Sequence, residues 1–180
     1  MPVSQPVPEP SPSVPVARLA VELRTTAVGQ LAIGLAGLAV AVSAEDDSPA
    51  RVVVPFAVVL ALIGALSWVA TRWVRGPEPP PLPGGTPVEP ARQTLRRSVV
   101  GLALALVAVA AACALAPELG AVLGGVVAAA GLIDAVNLRV VRARQARTGD
   151  EVLRRLGASP FASGRRPLYT LPTNDRTLAT

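Results

Sequence analysis

The sequence predicts an all-α fold, a four-span transmembrane helical bundle of two hairpins with Pro-rich and basic cytoplasmic segments. Three observations predict it. Apolar residues make up 51% of the 180-residue chain and charged residues only 16%, where a soluble domain carries about 25% charge. The uncharged residues are bunched into four runs, Thr25 to Ala44, Val52 to Thr71, Ser98 to Pro117, and Leu119 to Leu138 with Asp134 as its one exception. Sixteen of the 17 basic residues, all of them Arg, lie in the segments on one side of these runs. Net charge is +5 and mean hydropathy +0.49.

Each run is 20 residues. At helical rise that is roughly 30 Å, the thickness of a hydrocarbon core. Backbone polar groups in lipid must bond within their own segment, so the runs read as helices. The chain divides into a Pro-rich arm (1–24), a first transmembrane hairpin (25–75), a Pro-rich linker (76–97), a second hairpin (98–141) and a basic tail (142–180).

Residues 1–15 hold six Pro and read as a polyproline-type arm. Val16 to Arg24 is expected to be helical, with Val16, Leu19, Ala20 and Leu23 on one face and Arg18 and Glu22 on the other. Val42-Ser43-Ala44 would serve as a signal-peptidase site, but the run before it is longer than an h-region, and span one is read as retained. Pro55 is placed in the first turn of span two, where its missing N–H costs little. Trp68 and Trp73 fall at the cytoplasmic end of that span, where indole rings favour the interface. Residues 76–90 hold seven Pro, including Pro79-Pro80-Pro81-Leu82-Pro83, and read as an inert stiff spacer, with PxxP spacing that would also suit an SH3-like partner. Pro117-Glu118-Leu119-Gly120 reads as a tight turn between spans three and four. In the tail, Thr148 and Glu151 form a capping-box pattern, predicting a short helix that Gly157 ends. An irregular terminus is expected from Ala158 on.

The Arg distribution sets the threading. The other side holds only Arg51, beside Glu45, Asp46, Asp47 and Glu118. The positive-inside rule makes both termini cytoplasmic and the protein a multi-pass component of a cell membrane. Exclusive use of Arg and the Ala, Val and Pro bias match a high-GC bacterial proteome of actinobacterial type, an association that favours a bacterial plasma membrane.

The hairpins resemble each other. Leu23 to Gly29 aligns with Leu95 to Gly101, and Arg72-Trp73-Val74-Arg75 aligns with Arg139-Val140-Val141-Arg142, a register that matches Gly64 to Gly131. A tandem duplication would give pseudo-two-fold packing about the membrane normal. Composition alone would also align such Ala-, Val- and Gly-rich stretches.

Lipid tails are as apolar as Leu, so small-residue contacts must join the helices. Gly120 and Gly124 make a GxxxG, and Gly29 belongs to a small face of span one. These are the candidate packing residues, serving either close approach within the bundle or homo-oligomerisation. Asp134 and Gln30 are the candidate intramembrane polar groups. Intramembrane charge is a functional suspect by default. Asp134, however, lies near the cytoplasmic interface beside Asn137 and Arg139, so a structural role is the stronger expectation. Gln30 reads as an interhelical hydrogen bond.

No His and a single Cys, Cys113, exclude a zinc finger, a disulfide scaffold and a His-based triad. Walker A, GxSxG, HExxH, GxGxxG and CxxC patterns are absent from the sequence, so no catalytic, metal or cofactor site is expected. From Arg139 on, nine Arg against three acids leave the tail at +6, suited to anionic lipid headgroups. The tail offers little aromatic surface to stack on bases, Tyr169 and Phe161 alone, which argues against nucleic acid. The expected role is therefore that of a non-enzymatic accessory or scaffolding subunit, with the lipid bilayer, a membrane-protein partner or a second copy as its contacts. The alternative is a small transporter or pore-forming, holin-like oligomer using Asp134.

Overall fold

The computed structural model describes residues 15–45, 48–70, 74, 76–156 and 168–172. Four helices dominate: α1 (Leu19–Ser43), α2 (Ala50–Ala70), α3 (Ala91–Leu115) and α4 (Pro117–Thr148). All four are long and apolar enough to cross a membrane. Their outward side chains are apolar and exposed, among them Val54, Val58, Leu62 and Leu66 on α2 and Val100, Leu104 and Val107 on α3. Such a surface is compatible with lipid rather than water.

The helices begin and end for local reasons. The α1 terminus at Ala44 closes on Val40 and Val42 carbonyls. Pro55 falls in the second turn of α2, not the first, because the helix starts at Ala50 and its early N–H groups bond Ser48 and Pro49 carbonyls. The turn expected at Pro117 to Gly120 is shorter than that. Ala116 alone, with φ −162° and ψ 137°, joins α3 to α4, and Pro117 opens α4 at a position where no N–H is needed. At the far end α4 runs through Thr148 and stops at Gly149, whose φ of 76° only glycine adopts freely.

The Arg-rich end departs from the sequence expectation, and the fold is therefore mostly, not wholly, helical. Strands β1 (Val16–Arg18), β2 (Glu151–Arg155) and β3 (Leu168–Leu171) form an antiparallel sheet in the order β1-β2-β3. The register pairs Ala17 with Arg154 and Leu153 with Tyr169. So Val16 to Arg18 is extended rather than helical, the helix expected after Thr148 is β2, and the irregular terminus contains β3. The physical reason is tertiary. Both Val152 and Leu153 are buried although they face opposite sides of the sheet, and a lone helix there would cover only one of them.

The Pro-rich linker is not a free spacer. At one sheet edge the Val16 N–H donates to Pro87 O (3.0 Å) and the Glu89 N–H donates to Val16 O (2.7 Å). At the other, the Leu82 N–H donates to Thr170 O and the Thr170 N–H to Pro80 O, both at 2.9 Å. One segment thus closes both edges, which would otherwise be open to pairing. Beneath the sheet, Leu19, Leu23, Val74, Val141, Val152 and Leu168 form a core that fixes this cap to the ends of α1 and α4.

The bundle is not pseudo-two-fold. α1 packs along α4 over its whole length, whereas the pairing that symmetry would demand, α2 on α3, is not formed to any comparable extent. α2 lies mainly on α4, and α3 on α1 and α4. Trp73, Arg72, Arg75, Asp46, Asp47, Arg165, Arg166, Arg176, residues 1–14 and Gly157 to Pro167 lie outside the described residues.

Candidate functional site

The seam between α1 and α4 gathers the polar and small residues of the spans. The two helices run antiparallel. Gly34 faces Gly124 and Ala128, and a Cβ on Gly34 would sit 2.5 Å from the Gly124 carbonyl oxygen and 2.6 Å from the Ala128 Cβ. Nearer the Arg-rich end Gly131 abuts Ala27 and Leu31, where a Cβ would come 2.8 Å from Leu31 N and 3.0 Å from Ala27 O. The backbones touch, so the seam has the close approach that small residues permit in a membrane.

The candidate packing residues divide among three contacts. Gly124 belongs to the α1–α4 seam. Gly120 faces Cys113, with a Cβ placed 2.9 Å from the Cys113 Cα, and so serves the α3–α4 corner. Gly29 lies against the Leu102 side chain of α3. Gly120 and Gly124 still share the face toward α1, where a Cβ on Gly37 would lie 3.8 Å from both the Gly120 carbonyl oxygen and the Gly124 Cα, and Gly120 also closes the α3–α4 corner. Gly34 and Gly131 complete the seam without a GxxxG partner on their own helix; Gly34 belongs with Gly29 to the small faces that the sequence shows on span one, and the interhelical register sets both against a neighbouring backbone. A cleft of ≈ 310 Å³ between α1 and α3 is lined by Ile33, Val40, Leu106, Val109 and Cys113, among others. The Cys113 thiol points to the Gly37 carbonyl at 3.7 Å.

Asp134 sits on this seam opposite Thr26. The Thr26 hydroxyl is 2.5 Å from Asp134 Oδ2 and 3.0 Å from the Glu22 carbonyl one turn back. One hydroxyl proton can serve only one of these acceptors at a time. Gln30 is one turn further along α1, beside Gly131. Its Oε1 is buried and accepts no hydrogen bond. Asn137, one turn beyond Asp134 on α4, is 2% exposed, and its Oδ1 is likewise buried without a donor. Asp134 and Gln30 are thus brought to one seam, together with Thr26 and Asn137. Thr26 gives no sequence signal, since a Thr at the start of an apolar run is ordinary. Asn137 stood out only by its nearness to Asp134.

A second polar constellation ties the cap to the helices. Glu22 on α1 meets Arg154 of β2 at 2.5 Å and Arg97 of α3 at 3.7 Å. Arg97 also meets Glu89 of the linker at 3.2 Å, and Glu89 accepts a hydrogen bond from the Thr94 hydroxyl at 2.8 Å. Arg18 and Glu151, neighbours across β1 and β2, pair at 3.6 Å. Arg144 donates to the Gly76 carbonyl at 2.7 Å. The sequence suggested an Arg tail spread over headgroups. Arg144 and Arg154 instead bind the protein itself, while Arg139, Arg142, Arg147 and Arg155 are exposed. Among the described residues no group of three or more acidic or sulfur ligands converges on one point. Comparison with protein-family models, with curated proteins and with solved structures finds no match to the chain.

Proposed function

We propose that this chain is a non-enzymatic accessory or scaffolding subunit of a bacterial cell membrane, threaded with both termini in the cytoplasm. The observation that carries this reading is the cap. The arm, linker and tail, three segments far apart in sequence, are drawn into one folded unit on the helix ends. Their carboxylates and guanidinium groups are engaged with one another. The helices below present broad apolar faces, suited to lipid or to another span. A rigid cap over an apolar bundle offers two docking surfaces, one in water and one in the membrane. The exposed Arg139, Arg142, Arg147 and Arg155 suit anionic headgroups at its rim. Crosslinking in intact cells followed by capture in mild detergent is expected to recover a membrane-protein partner or a second copy at fixed stoichiometry. Repeated recovery of the chain alone would count against the proposal. A reporter fused at Thr180 is expected to be active only as a cytoplasmic fusion.

The alternative, a small transporter or pore-forming oligomer, draws support from the polar groups around Asp134. It calls for flux in reconstituted vesicles that disappears in Asp134→Asn. The close backbone contact at Gly34 and Gly124 leaves that seam narrow, which is why assembly is the preferred reading.

A further inference from the structure

Height along the bundle follows from the contacts between helices. Thr26 of α1 meets Asp134 of α4, and Gly29 of α1 lies against Leu102 of α3. At a rise of about 1.5 Å per residue, the Cα atoms of Arg24, Arg96 and Arg139 stand about 3, 4.5 and 7.5 Å on the Arg-rich side of the Thr26–Asp134 level. Side-chain direction narrows the spread, because Cα–Cβ bonds lean toward a helix's N-terminus. α1 and α3 begin at the Arg-rich end and α4 ends there. Arg24 and Arg96 therefore lean away from the spans, Arg139 leans back toward them, and the three guanidinium groups converge on one plane.

That plane is the edge of the apolar surface. Arg24, Arg96 and Arg139 are all exposed. Val28 and Val100, one turn further into the spans on the faces of Arg24 and Arg96, are 66% and 62% exposed. Arg96 lies two residues from buried Thr94 and Ser98, and Arg139 two from buried Asn137 and Val141. At about 100° of turn per residue both point away from the bundle. Arg18, Arg97 and Arg154 are taken up by Glu151, Glu89 and Glu22, whereas among the described residues no carboxylate pairs with Arg24, Arg96 or Arg139.

We propose that Arg24, Arg96 and Arg139 form a belt that binds the headgroup phosphates of anionic phospholipids in the cytoplasmic leaflet. The belt deepens the headgroup contact of the reading above and rests on its threading, with the Arg-rich end in the cytoplasm. Guanidinium forks match phosphate oxygens and stay charged at any working pH. What meets Arg24 and Val28, or Arg96 and Val100, is anionic at one level and apolar one turn below, which is the build of a phospholipid. An acidic protein surface in water matches only the upper level. A zwitterionic lipid carries its own ammonium beside the phosphate and is drawn less strongly.

The test uses the full purified chain in a mild non-ionic detergent, with phosphatidylglycerol as the probe and phosphatidylcholine as its neutral counterpart. Thermal unfolding is followed as each lipid is titrated into the micelles. A ligand that binds only the folded state raises Tm in a saturable manner. The expected result is such a rise with phosphatidylglycerol and a much smaller one with phosphatidylcholine. Arg24→Gln, Arg96→Gln and Arg139→Gln are each expected to raise the half-saturating concentration about fivefold, the share of one arginine near an anionic surface. Arg51→Gln, at the opposite end of the spans and paired there with Glu45, is expected to leave it unchanged. The purified chain carries no partner, so the outcome is independent of the scaffolding role, which capture from cells tests separately. Equal responses to the two lipids would overturn the proposal. So would equal weakening in Arg51→Gln, the mark of attraction to net charge alone, or the same rise with inorganic phosphate in place of lipid. An unchanged lipid response in the triple variant, together with loss of partner capture, would overturn it in favour of an acidic protein surface. Should the triple variant fail to fold, the three single variants still decide it.

Discussion

Gly29 and Gly101 stand in matching sequence contexts, as do Gly64 and Gly131, yet the members of each pair live in different surroundings. Gly29 lies against Leu102 and Gly131 against the α1 backbone, while added Cβ atoms on Gly64 and Gly101 would meet nothing within 4 Å. The comparison separates two kinds of surface. On the α1–α4 seam two backbones touch and every added atom must displace something. On the outward faces of α2 and α3 the side chains meet only the surroundings. The same local sequence therefore serves packing in one hairpin and solvation by lipid in the other. A duplicated ancestor, if there was one, has left no packing symmetry.

The sharpest way to break this contrast is Gly34→Leu. Its Cβ would fall against the Gly124 carbonyl and Ala128, neither of which is the far end of a flexible side chain. The helices must separate, and with them the contacts of Ala27, Ala41 and Gly131. Overpacking ordinarily costs about 1–3 kcal/mol, and more where the backbone itself is struck. We expect a cost of about 4 kcal/mol or more, read as loss of the monodisperse peak in mild detergent. Gly101→Leu, the matched change on an open face, should elute as wild type does.

The cap offers the next largest effect. Leu153 is fully buried in the sheet, and Leu→Ala in a packed site costs about 2–5 kcal/mol. The loss should fall on the cap and not on the spans. Proteolysis of the 76–90 linker is expected to accelerate in Leu153→Ala while the melting of the helical bundle changes less. An equal loss of both would show the cap and bundle to be one cooperative unit.

Glu22→Gln should act more weakly. It removes the charge that faces Arg154 and Arg97. Arg97 is 38% exposed, so its share is screened, while Arg154 at 18% is better shielded. A cost of about 1–2 kcal/mol is expected, mostly from the shorter contact. A double-mutant cycle of Glu22→Gln with Arg154→Met should return most of it as coupling, and Glu22→Gln with Arg97→Met much less. Equal coupling with both would place the strength of the network in its charge alone.

These regions also differ in how far they could be read from sequence. The four helices were legible because bilayer thickness fixes the length of an uncharged run, a constraint written residue by residue. Asp134 was legible for the same reason, as the exception within a run. Its contact with Thr26 was not, since it spans 108 positions and depends on the register of two helices. The cap was legible least of all. β1 is three residues long and β2 reads Glu-Val-Leu-Arg-Arg, with no alternation to betray a strand. Glu151 and Arg154 are paired within the protein, so the usual signal of charge facing water was misleading. Thr148 and Glu151 imitate a capping box, but Thr148 is the last residue of α4, and the positive φ of Gly149 redirects the chain. Pro79 to Pro83 imitates a free linker, but a strand edge that needs acceptors can use Pro carbonyls as well as any others.

The smallest predicted effect tests the open faces directly and has the opposite sign. Gly64 and Gly101 lie inside α2 and α3, with no neighbour that a methyl group would strike. Glycine in a helix interior is less favourable than Ala by about 0.8–1.0 kcal/mol in water, because it has more backbone freedom to lose. If these positions meet only lipid, Gly64→Ala and Gly101→Ala should each raise stability by about 0.5 kcal/mol, somewhat less than in water because a membrane helix keeps its backbone bonds even when separated from its neighbours. The gain would appear as a small upward shift of Tm for the purified chain and should be additive in the double variant, the two sites being on different helices. A loss of stability at either position would mean that its face is covered in the purified protein by a second copy. A gain in the purified chain together with loss of partner capture from cells would instead place the docking surface of the proposed partner on that helix.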